Sequence, residues 1–482
     1  MKKILSPAQV WALALGSIVG WGCFVLPGDS FLPNSGPLAA LIGFGVGAFL
    51  LSFVALAYSY MIDYVPVAGG EYAYAYIGYG PTCAFICGWA LVLGYVSIIA
   101  INISALALIF RFLFPGVLEF GLLYTIAGWQ VYTGEVLLMI AVVLVFGYLN
   151  YLDISFAGTL QVILAFLLSG GILLLFFGTV SLDSFSLSNL QPVFAESRPA
   201  FSSILAIVAI SPFLFVGFDT VSQTVEEFNF SPAKSKKIML FAIIWGGLLY
   251  SMVTFSCAAA IPYPDMLAKL ADMRAAGSTA WATGEVAKMA YGNFGVVVLC
   301  CGVGGAVCTG INGFFVASTR LLLAMSRGSI LPKWFGEIHP KYASPYKSVL
   351  FCTAIVLLTP FAGRAVVGWI VDMSSVGTGI AYLFTCLVAI KVIQHSDRSD
   401  KNGPILFGWI GVIMSLLCIA LLLIPGSPAY ISLPCSIILV VWTVMGIILY
   451  FVSKQYWIHL SHKEMTTDIC GNSEIQTYFN KQ

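Results

Sequence analysis

The chain consists largely of apolar runs of about 20 residues, separated by short polar segments. A helix needs about 20 apolar residues to cross the roughly 30 Å hydrocarbon layer of a bilayer. Charged residues make up only 9% of the chain, against roughly 25% in soluble domains, so no soluble core could enclose this apolar surface. The sequence therefore predicts an all-α integral membrane protein.

Twelve segments are long and apolar enough to be interpreted as transmembrane helices. They cover approximately residues 8–32, 38–62, 82–113, 133–151, 156–180, 202–228, 236–262, 292–325, 346–363, 366–393, 404–425 and 429–453. This pattern predicts a single membrane domain over residues 1–453, followed by a short cytoplasmic tail over residues 454–482.

The positive charges predict the orientation of the chain. An even number of spans places both termini on one side, and that side receives 16 of the 22 Lys and Arg residues. Cytoplasmic loops carry an excess of these residues. We therefore expect a multi-pass protein of the cell (inner) membrane with both termini in the cytoplasm.

Two of the predicted spans contain helix-breaking residues. The first has four glycines in "ALGSIVGWGCFVLPG" (14–28), and the sixth has Pro212, Gly217 and Asp219 in "ISPFLFVGFDTVSQTVEEFN" (210–229). Irregular backbone at membrane depth is tolerated where it lines a cavity, and paired discontinuous helices are typical of inverted-repeat transporters. Glycines also allow close helix packing, but the matching positions favour a functional role.

This arrangement predicts a fold of two five-helix inverted repeats with discontinuous helices 1 and 6. Repeat one covers about 8–180, repeat two covers about 202–393, and helices 11 and 12 (about 404–453) lie outside the repeats. A broken helix offers free N–H groups to a carboxylate and free carbonyls to an ammonium group. A zwitterion such as an amino acid fits both ends.

Four motifs, spread in order over some 330 residues, resemble those of the amino acid–polyamine–organocation (APC) superfamily of transporters. They are "GSIVGWGCFVLPG", "PVAGGEYAYAYIGYGP", "FVGFDTVSQTVEEFNFSP" and "INGFFVASTRLLLAMSRGSILPKWFGEIHPKYASP". The resemblance implies a twelve-helix fold, alternating access, and a substrate held by the backbone of helices 1 and 6.

Carried onto this sequence, the resemblance implies a set of substrate-binding positions. They are Ser17, Ile18, Val19, Gly20, Trp21 and Gly22 in helix 1, Asn102 in helix 3, and Phe213, Phe215, Val216, Gly217 and Phe218 in helix 6. An interhelical hydrogen bond is the alternative role for Asn102.

Gating and proton coupling are expected at three residues, Phe213, Asp219 and Glu226. The resemblance implies an aromatic gate at Phe213 and a proton-linked acid at Asp219. Glu226, with its neighbour Glu227, is interpreted as an inner-gate or ion-pair residue. Glu71, in the loop between helices 2 and 3, is expected at the membrane interface.

The sequence departs from the family pattern at two places. Trp21 stands where a small residue is usual, so its ring either contacts the ligand or fills a packing gap. Relatives that do not use sodium often carry a lysine in helix 5, whereas the alignment places Leu168 or Ser169 there and the segment contains no Lys. Symport, uniport and exchange, and a proton as partner, are therefore left open.

These observations predict a secondary transporter, a permease or exchanger, for an amino acid or a related small amine. A polyamine, organic-amine or amino sulfonate transporter of the same fold is the alternative, ahead of a channel or a transporter-like sensor. All four histidines lie outside the spans, and the sequence has no phosphate-binding loop. We therefore expect no enzyme activity, cofactor, metal or nucleic-acid partner, and leave a homodimer open.

Overall fold

The computed structural model describes residues 4–126, 129–152, 154–196, 198–275, 281–362, 366–397, 400–472 and 474–478. The described chain is almost entirely helical. Its α-helices are α1 (Pro7–Ile18), α2 (Gly22–Leu26), α3 (Leu32–Ser35), α4 (Pro37–Tyr64), α5 (Gly70–Tyr79), α6 (Pro81–Leu113), α7 (Thr133–Leu152), α8 (Ile154–Val180), α9 (Ala200–Ala209), α10 (Ser211–Phe215), α11 (Thr220–Gln223), α12 (Ser235–Ala259), α13 (Tyr263–Ala275), α14 (Ala282–Arg327), α15 (Tyr346–Val356), α16 (Val366–His395), α17 (Asn402–Leu423), α18 (Leu433–Trp457) and α19 (His462–Cys470).

Shorter elements connect these helices. A short π-helix covers Pro27–Phe31, and short 3-10 helices cover Leu187–Leu190, Val225–Glu227, Pro232–Lys234, Lys333–Gly336 and Thr359–Ala362. An antiparallel hairpin of β1 (Leu122–Ile126) and β2 (Trp129–Tyr132) joins α6 to α7. This hairpin adds a short sheet to the predicted all-helical architecture.

Ten stretches of helix in the described chain are long and apolar enough to cross a membrane. They are Pro7–Ser35, Pro37–Tyr64, Pro81–Leu113, Thr133–Leu152, Gly158–Val180, Pro232–Ala259, Ala282–Arg327, Trp369–His395, Asn402–Leu423 and Leu433–Trp457. The other two predicted spans, at 202–228 and 346–363, contain the shorter apolar helices Ala200–Ala209 and Tyr346–Phe361. The protein is thus a multi-pass membrane protein.

Helices α1, α6, α8, α14 and α16 form the centre of the bundle. α14 packs along α8 and α6, α6 packs along α16, and α1 lies against α8, α12 and α14. By contrast, α18 is peripheral, and its apolar side chains, among them Val440 and Phe451, remain mostly exposed. An apolar face of this kind is suited to contact with lipid tails, which are themselves apolar.

The tail is folded against the rest of the chain. Thr466 on α19 shares a hydrogen bond of 3.1 Å with the hydroxyl of Tyr76 on α5. Farther along, the backbone N–H of Tyr478 donates to the carbonyl of Ile77 at 2.8 Å. The predicted short tail therefore contains a helix that rests on α5.

Candidate functional site

The first predicted span is interrupted between α1 and α2. The helix ends at Ile18, and Val19 has φ −99° and ψ 79°, which directs the chain out of the helical path. Within the described chain, no hydrogen-bond acceptor is found for the N–H groups of Gly20 and Gly22. The structure thus confirms the predicted break and leaves backbone donors free inside the protein.

The second interruption lies between α10, which ends at Phe215, and α11, which begins at Thr220. Gly217 in this segment has φ +130°, a conformation that residues with a Cβ rarely adopt. A Cβ on Gly217 would lie 2.6 Å from the N atom of Ile18 and 2.6 Å from the Cβ of Ser17. The two breaks therefore touch, and the sequence predicted both.

The three phenylalanines of the second interruption point in different directions. The ring of Phe213 lies over Gly22, where a Cβ would be 3.2 Å from its Cζ atom. Phe215 instead packs on Gly247 of α12, and the ring of Phe218 packs edge-on to Tyr58, with centroids 5.4 Å apart. Only Phe213 of these three side chains reaches the first break, while Val216 is buried beside them.

Trp21 fills space between α2 and α14. Its side chain is buried, and its ring centroid lies 5.6 Å from that of Trp281. The indole N–H of Trp281 donates to the carbonyl of Phe24 at 2.9 Å, which fixes the pair. Trp21 therefore packs on Trp281, for which the sequence had given no signal, and its contact with substrate stays a prediction.

Asn102 on α6 connects the first break to two neighbouring helices. Its Oδ1 accepts a hydrogen bond from the N–H of Trp21 at 3.0 Å, and its Nδ2 donates to the carbonyl of Ile98 at 2.8 Å. Gly20 and Gly310 leave room for it, because a Cβ would be 3.0 Å from Oδ1 at Gly20 and 2.7 Å from Nδ2 at Gly310. Asn102 thus forms an interhelical hydrogen bond, and its contact with substrate stays a prediction.

Asp219 is buried behind the second break and accepts hydrogen bonds on both carboxylate oxygens. The Tyr95 hydroxyl donates to Oδ2 at 2.5 Å, and Oδ1 accepts from the Gly217 N–H at 2.7 Å and the Tyr382 hydroxyl at 3.4 Å. Donors from α6, α16 and the broken segment thus converge on a single carboxylate.

Glu71 is a second buried acid, and its expected interfacial position is wrong. It is 0% exposed on the first turn of α5, and its Oε2 accepts from the Ser222 hydroxyl at 3.0 Å and from the Gln223 amide. The prediction failed because α5, read as an interfacial loop, is buried from Gly70 to Gly78. The small residues of "GGEYAYAYIG" were the available signal.

Two acid–base pairs close the end of the bundle that carries the tail. Glu227 forms a buried ion pair with Arg320, with Oε1 2.7 Å from the Nε atom. Glu226 accepts a hydrogen bond from the N–H of Ala68 at 2.9 Å and lies 3.7 Å from Arg327. The segment after α11 is thereby fastened to α14 and to the loop before α5.

Gln161 on α8 lies beside α1 and α14. Its Nε2 donates to the carbonyl of Thr309 at 3.0 Å, and its Oε1 accepts from Asn312 at 3.2 Å. Thr309 in turn donates to the carbonyl of Gly16 at 3.2 Å. Ser169, one of the two aligned residues, instead accepts from Trp245 at 3.3 Å.

A cavity of about 450 Å³ lies at the opposite end of the bundle from these ion pairs. Charged side chains line it, among them Arg111, Glu285 and Lys288, and Phe112 forms part of its wall. The ring of Phe112 packs edge-on against Trp281, with centroids 5.1 Å apart. Since Trp281 also packs on Trp21, this indole separates the cavity from the first break.

Comparisons with known proteins agree on one class. A family model described as amino acid permease matches residues 5–450. The branched-chain amino acid permease BcaP of Bacillus subtilis is 26% identical over 94% of both chains, and the methylthioribose transporter of the same bacterium is 23% identical over 94% of both. The vacuolar cationic amino acid transporter 4 of Arabidopsis thaliana is 27% identical over 82% of this chain and 64% of its own.

Proposed function

Because this chain belongs to the amino acid permease family, we propose that it is a secondary transporter that carries an amino acid across the cell membrane by alternating access. The observation that carries the proposal is the meeting of the two breaks, where Gly217 packs on Ser17 and Ile18. Free N–H groups at Gly20 and Gly22 lie at the same place, and such donors suit a substrate carboxylate.

The proposed substrate is a neutral, apolar amino acid. The side chain that reaches the first break from the second is the ring of Phe213, which suits an apolar group. Three hydrogen-bond donors already occupy the two carboxylate oxygens of Asp219, which makes it a poor partner for a cationic side chain. The branched-chain permease, similar along almost the whole chain, points to the same class.

The proposed architecture is the five-plus-five inverted repeat with both termini in the cytoplasm. The ten long helices and the two shorter apolar helices Ala200–Ala209 and Tyr346–Phe361 would then make up the twelve spans. In this arrangement the Glu227–Arg320 pair and Glu226 form the closed inner gate, and the charged cavity opens to the outside. Phe213 is the proposed gate over the substrate, and Asp219 belongs to the proton-linked part of the mechanism.

Purified protein in liposomes tests this function. Radiolabelled leucine, arginine and methylthioribose are each added outside the liposomes. Uptake is then measured with and without a proton gradient. We expect leucine uptake above that of empty liposomes. Preference for arginine would replace the neutral substrate class by the cationic one, and uptake of methylthioribose alone would overturn the amino acid assignment.

A Gly20→Leu variant tests the site itself. A Cβ at this position already lies 3.0 Å from Asn102, so a leucine would occupy the space of the break. We expect uptake to be abolished while the protein is still made and inserted. Gly45→Leu is the matched control, because nothing lies within 4 Å of a Cβ at Gly45 on α4. Normal uptake by Gly20→Leu would refute this site.

A further inference from the structure

We propose that Glu71 is the proton-binding residue of this transporter: its carboxyl is protonated in the conformation described here and is deprotonated when α5 separates from α11. The inference rests on the proposed function and deepens it, since it names the group that couples substrate movement to a proton. The geometry of Glu71, the contrasting geometry of Asp219 and the charges around both support it.

The hydrogen bonds of Glu71 are all on one oxygen. The Gln223 amide donates to Oε2, and the Ser222 hydroxyl shares its single proton between Oε2 and the backbone carbonyl of Asp219. Oε1 is buried and, among the described residues, meets no partner of good hydrogen-bond geometry, while the Tyr58 hydroxyl lies close enough to the carboxyl to interact with it. A charged carboxylate left in this state would be strongly unfavourable, because a buried ion needs a partner or several donors. A proton on Oε1 removes the charge and leaves the two donors on Oε2 in place.

Asp219 has the opposite arrangement. Both of its oxygens accept hydrogen bonds, from two tyrosine hydroxyls and one backbone N–H, and such donors stabilise the charged form of a carboxyl group. When two neighbouring carboxyls have contrasting surroundings, one of them is ionised and the other is protonated. Here the ionised group is Asp219 and the protonated group is Glu71.

Ser222 joins the two acids. Its hydroxyl lies 3.0 Å from Oε2 of Glu71 and 2.7 Å from the backbone carbonyl of Asp219. The negative charge of Asp219 acts on the Glu71 carboxyl through the buried interior between them. Burial, together with the charge of Asp219, raises the pKa of the Glu71 carboxyl well above its ordinary value.

No described cation offsets a charge on Glu71. The titratable groups that face it from α4, α5, α6, α16 and the second break are Tyr58, Tyr74, Cys87, Tyr95, Tyr382 and Asp219.

The nearby cations are engaged elsewhere. On α14, Arg320 pairs with Glu227 and Arg327 lies beside Glu226. On α16, the ammonium group of Lys391 donates to the carbonyl of Gly78, at the far end of α5.

Separation of α5 from α11 would release the proton. Gly70 packs so closely on Ser222 that a Cβ would overlap the hydroxyl, so the two elements are in direct contact. In the proposed cycle the broken segment that contains α11 moves when the inner gate opens, and water then reaches Oε1. The Oε1–H bond breaks, the electron pair stays on the carboxylate, and the proton passes to water as hydronium.

Infrared difference spectroscopy on the full-length protein in lipid tests the protonation state without any substrate. We expect wild type minus Glu71→Gln to show the C=O stretching band of a protonated carboxylic acid at neutral pH, with a shift in D₂O. Asp219→Asn should retain this band. A difference spectrum with only the carboxylate bands of an ionised glutamate would overturn the inference.

Transport tests the coupling. Glutamine resembles a permanently protonated Glu71, so Glu71→Gln should still exchange leucine between equal pools but should lose accumulation driven by a proton gradient. The accompanying pH change, followed with a pH-sensitive dye inside the liposomes, should be lost as well. Glu71→Asp should restore part of both signals, and the exposed Glu337→Gln serves as control.

The outcomes separate the two proposals. If wild-type protein exchanges none of the amino acids tested, the proposed function fails, whereas the infrared result still decides the state of Glu71. If wild type accumulates leucine on a proton gradient and Glu71→Gln does so equally well, the proton-binding role of Glu71 is refuted and the transport function stands.

Discussion

The side-chain oxygen of Asn102 accepts a hydrogen bond of 3.0 Å from the backbone N–H of Trp21. This bond stabilises the first helix break at a point where the described backbone offers the Trp21 N–H no acceptor. It also places Asn102 between α1 and α14, since Gly20 lies on one side of its amide and Gly310 on the other.

Replacement of Asn102 by alanine should weaken the site by leaving the Trp21 N–H without an acceptor. A buried donor that loses its partner costs about 1–3 kcal/mol, which corresponds to a loss of about tenfold or more in apparent affinity if the break deforms. Uptake at varied substrate concentration measures this change. Ser104→Ala on the same helix is the control, because Ser104 bonds only to the carbonyl of Ile101. Equal kinetics for both variants would contradict the role assigned to Asn102.

Gly217→Ala should disrupt the contact between the two breaks. The new methyl group would overlap Ile18 and Ser17, and alanine is strained at φ +130°. We expect a loss of uptake and a lower melting temperature in detergent, measured by tryptophan fluorescence. Gly304→Ala, where a Cβ meets nothing within 4 Å, should be neutral. Unchanged stability and uptake of Gly217→Ala would show that the breaks do not pack as described.

Arg320→Met should be among the most destabilising single changes at the closed end. It leaves Glu227 as a buried charge without its partner, and breaking a buried pair costs about 3–5 kcal/mol. The double variant Glu227→Gln/Arg320→Met should recover much of that loss, because no uncompensated charge remains. Thermal unfolding of the two variants measures the difference.

The more exposed pair of Lys347 and Glu337 provides the comparison. Lys347→Met should change the free energy of unfolding by only about 0–1 kcal/mol, because surface ion pairs are screened by water. An equal loss at both positions would argue that Glu227 and Arg320 are not held in a buried pair.

Gln161→Leu should destabilise the contact of α8 with α1 and α14. It leaves the Asn312 amide without this acceptor, at a cost of about 1–3 kcal/mol, and removes the side-chain donor to the Thr309 carbonyl. Ser169→Ala should have a small effect, because that hydroxyl only accepts from Trp245. The reverse order of the two melting temperatures would contradict the contacts assigned to Gln161.

The sequence was sufficient for those features that follow from local residue types. Apolar runs predicted the membrane helices, and the glycines around Gly20 and the residues Pro212 and Gly217 predicted both breaks. These features depend on what a single segment can do in a bilayer, so a pattern within that segment is enough to find them.

Features that depend on distant partners were missed. Gln161 was overlooked because its neighbour Thr309 lies 148 residues away, and the register between the two helices cannot be read from either one. Trp281 was overlooked for the same reason, since its partners Trp21 and Phe24 belong to another helix. Glu71 was misplaced because burial of a polar loop depends on what covers it.

The docking of the tail on α5 links the last part of the chain to the same helix that holds Glu71. Tyr478 is hydrogen-bonded to Ile77, and Thr466 is hydrogen-bonded to Tyr76. A large movement of α19 would therefore break these bonds or move α5 with it. A fluorophore attached to the exposed Asn472 would for this reason report the opening of the proposed inner gate from outside the membrane, with every residue of the transport path left unaltered.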